Sequence, residues 1–331
     1  MVCYAGRVWD GDRFVDGYAI VEGGHVVETG EGFPADSVRI GYIMPGLTDG
    51  HTHLGDAGLR LDRRYTVEEL VAPPDGIKHR YLRETPAETV ERDMAGYAAS
   101  LRENGVSRII DFREGGIAGA RMMRRAVPDA VILGRPTSEE FDPNEIDALL
   151  DVADGIGISS ISDVPVRYAD AIADASHRRG RFVAIHVSER VREDMDAVLS
   201  LEPDLIVHMC EATDSDFLAC ADHDVPVVIC ARSNFYYGMV PPLRRMVDAG
   251  VTISVGTDNA MICSPDIFAE ARFLQVIAEE QGCPAGTVED ALVRNGNKLL
   301  LTGSALGGNG WTGTPVITDE YILSGKISGP I

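Results

Sequence analysis

His51-Thr52-His53 places two imidazoles one residue apart. On an extended segment, alternate side chains share a face, about 7 Å apart at their Cα atoms. Both rings can then reach one metal at about 2 Å. An isolated pair of this kind reads equally well as two polar residues in a turn. Three further residues change that balance. His186 ends the apolar run Phe182-Val183-Ala184-Ile185, His208 ends Leu205-Ile206-Val207, and Asp258 follows Ile253-Ser254-Val255-Gly256-Thr257. Each stands where a buried strand gives way to a loop. Imidazoles and a carboxylate converging on one centre suit a single divalent ion, Zn2+ first and Fe2+ second. The other histidines, His25, His79, His177 and His223, fall in turns, loops or helices and read as surface.

The elements that must position these residues follow from the hydrophobic pattern. Apolar runs at Ser107–Asp111, Ala130–Leu133, Gly155–Ser159, Phe182–His186, Leu205–His208, Val225–Ile229 and Ile253–Gly256 read as strands. The run into Met44-Pro45-Gly46-Leu47-Thr48-Asp49 makes an eighth. Helical patterns lie between them, for example at Ala87–Asn104, Pro165–Arg179, Asp214–Asp222 and Pro241–Ala249. Alternation of this kind predicts a parallel sheet, closed or open. No GxGxxG follows the early strands, which argues against a dinucleotide fold. Strand ends at the C-terminal face are where a (β/α)8 barrel keeps its active site. Residues 1–44 read instead as short strands, such as Tyr18–Glu22 and His25–Glu28 across Gly23-Gly24. From about Thr314 the chain is strand-like again, at Pro315–Thr318 and Tyr321–Ser324. The expected division is a small β module, 1–44 with 301–331, and a barrel at 45–300.

Five segments fall on expected strands one, five, six, seven and eight in order. They are Pro45-Gly46-Leu47-Thr48-Asp49-Gly50-His51-Thr52-His53-Leu54, His186-Val187-Ser188-Glu189, His208-Met209-Cys210, Ser233-Asn234 with Gly238, and Gly256-Thr257-Asp258-Asn259. As a set they resemble the amidohydrolase superfamily, in the branch of guanine, S-adenosylhomocysteine and related deaminases and the triazine chlorohydrolases. The resemblance implies a (β/α)8 TIM-type barrel with a small β-sandwich built from the two chain ends. It implies His51, His53, His186 and Asp258 as metal ligands, His208 as an imidazole contacting bound water and substrate, and Glu189 as proton shuttle. Binuclear members bridge their metals with a carboxylated Lys or a Glu from a mid-barrel strand. Here no Lys lies between Lys78 and Lys298, and Gly155-Ile156-Gly157-Ile158-Ser159 carries no acid, so one metal is expected. The implied activity is release of ammonia from a heterocyclic amine such as a purine, pterin or pyrimidine. The same machinery could instead hydrolyse a C–Cl or amide C–N bond. A catalytically silent scaffold barrel would show eroded ligands, and none is eroded here. The chain is shorter than most of the branch, and Asn295-Gly296-Asn297-Lys298 matches its NPAK-type segment only loosely, which points to a reduced sandwich.

Arg113, Glu114 and Asn234 are the substrate-facing candidates. Asp111-Phe112-Arg113-Glu114-Gly115-Gly116 closes expected strand two, where Arg113 can grip an anion or carbonyl or form a surface pair with Glu114. Arg135, after strand three, offers a similar grip. Phe235, Tyr236 and Tyr237 offer aromatic faces to a heterocycle. Pro73–Arg80 lies in a long loop after strand one, suited to a lid, with Lys78, His79 and Arg80 as an anion contact.

The 331 residues are 45% hydrophobic, enough for a barrel and a small module. A formal net charge of -22 repels nucleic acid and anionic membranes. The only lysines are Lys78, Lys298 and Lys326, and abundant carboxylates with scarce Lys suit a salt-rich cytoplasm. No apolar run is long enough to span a membrane, no signal peptide opens the chain, and the expected place is cytoplasmic. The six cysteines form no CxxC pair and read as small hydrophobes in a reducing compartment. Homo-oligomers are common for such barrels, and nothing in the sequence sets a subunit number.

Overall fold

The computed structural model describes residues 1–71, 75–300, 311, 313–319 and 323. Its central sheet is parallel and follows chain order through β5 (Leu47–His53), β6 (Val106–Arg113), β7 (Val131–Gly134), β8 (Gly155–Ile158), β9 (Phe182–Val187), β10 (Leu205–His208) and β11 (Val227–Ile229). β7, β10 and β11 are near-continuous Val, Ile and Leu because helices cover one side and the barrel core the other, whereas β5 carries the polar residues of the site. The last strand is broken. Its first half, β12 (Ile253–Val255), pairs with β11, and its second, β13 (Asp258–Asn259), pairs with β5 through Asp258↔Thr52 and Asn259↔His53. The ring therefore closes as eight strands.

Glycine makes the closure possible. A Cβ on Gly256 would stand 2.7 Å from the His51 nitrogen, and one on Gly50 would stand 2.9 Å from the Val255 oxygen. Between the half-strands, Thr257 N and Oγ1 donate to the two Asp49 oxygens at 2.9 and 2.7 Å. The two ends of the barrel are thus clasped where the metal-type residues stand.

Each barrel strand is followed by a helix that covers the barrel: Ala87–Glu103, Gly116–Ala126, Pro143–Leu150, Val166–Arg178, Met195–Leu199, Asp214–Asp222, Leu243–Asp248 and Ile267–Glu280, with the shorter Ala231–Tyr236 also after β11. Apolar spacing explains the packed faces. In Val166–Arg178 the buried residues include Tyr168, Ala169, Ile172, Ala173 and Ser176, one stripe of a 3.6-residue period. Asp214–Asp222 starts at a capping box, Thr213 with Asp216. The long segment after β5 is not all loop: it holds helices Val67–Leu70 and Ile77–Glu84.

The chain's start forms the other sheet: β1 (Val2–Trp9), β2 (Phe14–Glu22), β3 (His25–Glu31) and β4 (Val38–Met44). Gly23 and Gly24, both at positive φ, make the β2–β3 turn. β14 (Val316–Thr318) pairs antiparallel with β4, bringing the chain's far end onto its beginning in one five-stranded sheet, β14-β4-β1-β2-β3. Trp9, Phe14 and Tyr42 stack edge to face within it. Of the expected strand Tyr321–Ser324, only Leu323 lies within the described residues. All six cysteines are free, and no described helix is long and apolar enough to cross a membrane.

Candidate active site

The C-terminal ends of β5, β9, β10 and β13 converge. His51, His53 and His186 each offer a donor atom within 4.8 Å of the others, and so do His51, His208 and Asp258. Among the described residues, both groups share His51, so they describe one centre. Its rings lie 4.8 Å from His53, 4.8 Å from His186 and 5.8 Å from His208, centroid to centroid. The Phe112 ring, 4.4 Å from His51, gives the cluster an apolar floor.

Each donor is oriented from behind. His53 Nδ1 meets the Phe112 carbonyl at 3.0 Å and Glu114 Oε1 at 3.0 Å. His186 Nδ1 meets the Ile158 carbonyl at 3.0 Å. A carbonyl only accepts, so both rings carry hydrogen on Nδ1 and present a bare Nε2. Ser233 Oγ donates to Asp258 Oδ2 at 2.5 Å, which leaves Oδ1 facing His51 Nε2 at 3.3 Å and His53 Nε2 at 3.6 Å. Asn234 Nδ2 bonds His208 Nδ1 at 3.1 Å, and His208 Nε2 points at Glu189 Oε1, 3.8 Å away. Backbone strain marks the same spot. Of seven non-glycine residues at positive φ among the described residues, Ser188, His208, Met209 and Asp258 stand at the ends of these strands.

Burial sets the charges. It pushes His51 down to about 3, against the pull of Asp258, and holds His186 well below the usual histidine range. Both rings are therefore neutral, as a metal ligand must be. Burial works against the charge of Asp258, but the close imidazoles of His51, His208 and His53 outweigh it and hold that carboxyl well below the usual range. Glu189 is raised by burial, an effect that His208 only partly offsets. Two carboxyls side by side are thus pushed in opposite directions, which separates an ionised ligand from a proton carrier.

One observation tests whether a cation belongs here. His51 is fully buried, yet neither ring nitrogen has a hydrogen-bond partner; Asp258 Oδ1 only approaches Nε2 at 3.3 Å. An orphaned buried polar atom costs about 1–3 kcal/mol. Neutral imidazole donors, a carboxylate oxygen and an orphaned ring at their focus fit a divalent cation.

Not every expected residue reaches the cavity over this cluster. Glu114, Glu189, His208 and Asp258 line it; Arg113 and Asn234 do not. Arg113 is buried behind Glu114, bonded to its Oε2 at 2.6 Å and its carbonyl at 3.1 Å, with Asp111 Oδ1 at 4.0 Å. The pair with Glu114 exists, but inside rather than on the surface. Asn234 is spent on His208. Of the aromatics, Tyr237 lines the cavity, its buried Oη without a partner, whereas Phe235 packs on Phe273. His79, read as surface, also lines the cavity and bonds the Val71 carbonyl through Nε2.

Sequence reasoning missed the buried charge network beneath the cavity. Lys78 Nζ sits 2.5 Å from Glu114 Oε1 and 3.6 Å from Asp56 Oδ2. Glu114 in turn accepts from His53. Burial alone would raise Glu114, but Lys78, His53 and Arg113 hold it well below the usual range. The available signal was scarcity: Lys78 is the only lysine before Lys298. Ser188 and Glu193 bond each other reciprocally, and Glu193 also accepts from Ser162, which fixes the loop carrying Glu189.

Known proteins resemble this chain in sequence and in fold. The amidohydrolase family model matches residues 42–292. A putative aminohydrolase of Archaeoglobus fulgidus is 33% identical over 234 residues, 70% of this chain and 68% of that protein. A 5-methylthioadenosine/S-adenosylhomocysteine deaminase of Halobacterium salinarum is 25% identical over 326 residues, 85% and 72% of the two chains. Among solved structures, a zinc-bound adenosine deaminase from Xanthomonas campestris superposes with TM-score 0.74 at 18% identity, covering 96% of this chain and 84% of that one. Atrazine chlorohydrolase from Arthrobacter aurescens, complexed with zinc, gives 0.71 at 15% identity, covering 91% and 83%. The chain belongs to the amidohydrolase family and is a hydrolase of carbon–nitrogen bonds other than peptide bonds.

Proposed function

We propose that the protein is a mononuclear metal-dependent aminohydrolase that releases ammonia from the exocyclic amino group of a heterocycle such as a purine, pterin or pyrimidine. The carrying observation is the neutral, partnerless His51 at the focus of His53, His186 and Asp258, with Glu189 beside it on His208. His51, His53, His186 and Asp258 would hold one divalent ion, Zn2+ before Fe2+. Such an ion, when bound, supplies the field that lowers the pKa of water to about 7.

The chain's own groups do the rest. Asn234 donating to His208 Nδ1 supports a tautomer with hydrogen on Nε2, which can donate to the oxygen that attacks. Asp258 Oδ1, free of Ser233, orients that water. Glu189, raised by burial, takes a proton from the attacking water and passes it to the ring nitrogen. It then moves the second proton to the amine, which leaves as ammonia. Tyr237 Oη and Glu114 face the heterocycle. Residues 45–300 are the catalytic barrel in this reading, and 1–44 with 301–331 the β module.

The likeness to atrazine chlorohydrolase supplies a second reading, displacement of chloride by the same site. Chloride needs no proton to leave. Ammonia release from a panel of purines, pterins and pyrimidines by metal-loaded protein separates the two. Glu189→Gln should lower deamination by about 10²–10⁴-fold. Chloride release from chloro-heterocycles that survives in Glu189→Gln, with no ammonia from any amine, would replace deamination by dehalogenation.

A further inference from the structure

β7 and β8 give no side chain to the histidine cluster, yet their C-terminal ends line the same cavity with Arg135, Ser159 and Ser160. Arg135 directly follows β7, and its backbone is fixed there: its nitrogen donates to the Arg113 carbonyl, and its carbonyl accepts from Gly116. Its guanidinium is half-buried, and among the described residues no carboxylate lies within 4.0 Å of it. The other cations on the cavity wall are spoken for. Lys78 is paired with Glu114, and Arg190 with Glu68 at 2.5 Å. His79 is kept neutral by burial and by the charge of Lys78. An unpaired guanidinium is conspicuous in a chain carrying -22.

On the wall of the same cavity, Ser159 Oγ is buried with no hydrogen-bond partner. Ser160 Oγ accepts from Ser162 N and Asp163 N, which leaves its hydroxyl proton free to donate into the cavity. Two acids on this wall are committed or exposed: Glu193 is clasped by Ser162 and Ser188, and Asp163 is exposed. A forked donor with two hydroxyls able to donate suits a planar or tetrahedral oxyanion.

We propose that the substrate carries an anionic group, a carboxylate or phosphate, remote from the hydrolysed carbon, and that Arg135 with Ser159 and Ser160 grips it. The proposal rests on the reading of this cavity as the catalytic site. It gives β7 and β8 the task of choosing the substrate while the other strands do chemistry.

The test pairs neutral heterocyclic amines with counterparts bearing a carboxylate or a phosphate, adenosine against adenosine 5′-monophosphate and pterin against pterin-6-carboxylate. Binding is read from the thermal midpoint of metal-loaded protein, and turnover from ammonia. At least one anionic member should bind more tightly than its neutral partner, by on the order of tenfold to a hundredfold. Arg135→Gln should erase that preference and leave the neutral partner's binding unchanged; Arg135→Lys should restore part of it. The carboxylate and phosphate arms tell which oxyanion fits. A preference that survives Arg135→Gln, or no preference in any pair, overturns the proposal. Anionic preference lost in Arg135→Gln without ammonia from any compound would keep this inference and sink deamination. Ammonia released equally from both members of each pair would do the reverse.

Discussion

Lys78→Met should destabilise the fold by about 3 kcal/mol near pH 8, the low end of the 3–5 kcal/mol typical of a broken buried pair. The structure sets that figure. Lys78 Nζ faces Glu114 Oε1 at 2.5 Å and Asp56 Oδ2 at 3.6 Å, and both carboxyls are buried. Removing the ammonium leaves both without it, but Arg113 stays 2.6 Å from Glu114, so the charge is not wholly abandoned. In the wild type Glu114 is depressed, so its stabilisation is present above the unfolded value of 4.5 and lost as pH falls through its lower folded value. Without Lys78 the folded value rises toward the unfolded one. The penalty should therefore shrink as Glu114 protonates on going from pH 8 to pH 4, below the unfolded value of 4.5. Urea unfolding of metal-free protein at the two pH values reads this directly, and Lys78→Met/Glu114→Gln should cost less than the sum of the single changes. Because Glu114 holds His53 at 3.0 Å, metal affinity should also fall, by about 10–100-fold. A loss under about 1 kcal/mol at pH 8, the worth of an exposed pair, would refute the buried network. So would a loss that does not change with pH.

Asp49 and Gly256 test the clasp that closes the barrel. Burial pushes Asp49 up to about 7, against its bonds from Thr257. The unfolded chain ionises first, so the fold should lose about 4 kcal/mol as pH rises from 3.8 to about 7. Asp49→Asn should flatten the urea-midpoint profile of metal-free protein across that window; an unchanged slope would reassign it to other groups. Gly256→Ala puts a methyl 2.7 Å from the His51 backbone nitrogen. It should cost about 1–3 kcal/mol and lower metal affinity, read from urea midpoints and metal titration, because the strand carrying His51 must move.

The barrel was legible because its strands are buried on both faces and read as continuous apolar runs. Leu205–His208 and Asp214–Asp222 match the expected bounds. Val225–Ile229 shortens to Val227–Ile229, since Pro226 has no N–H for the ladder. His51 and His53 were legible as a pair because their alternation survives within β5. The break in the last strand was not, because Gly256 and Thr257 answer to His51 and Asp49, some 200 residues earlier, rather than to their neighbours. Helix Ile77–Glu84 was hidden for another reason. Its start, Lys78-His79-Arg80, is a polar run, and its one buried side chain is a charge. Arg113 misled in the same way, since a charged side chain at a strand end reads as reaching outward until its buried partners are known.

Metal content per chain, measured on purified protein and on His51→Ala, tests the central claim most directly. The account predicts about one equivalent of Zn or Fe in the wild type, removed by chelation and absent from His51→Ala at unchanged fold. Two equivalents per chain, or one that persists in His51→Ala, would contradict it.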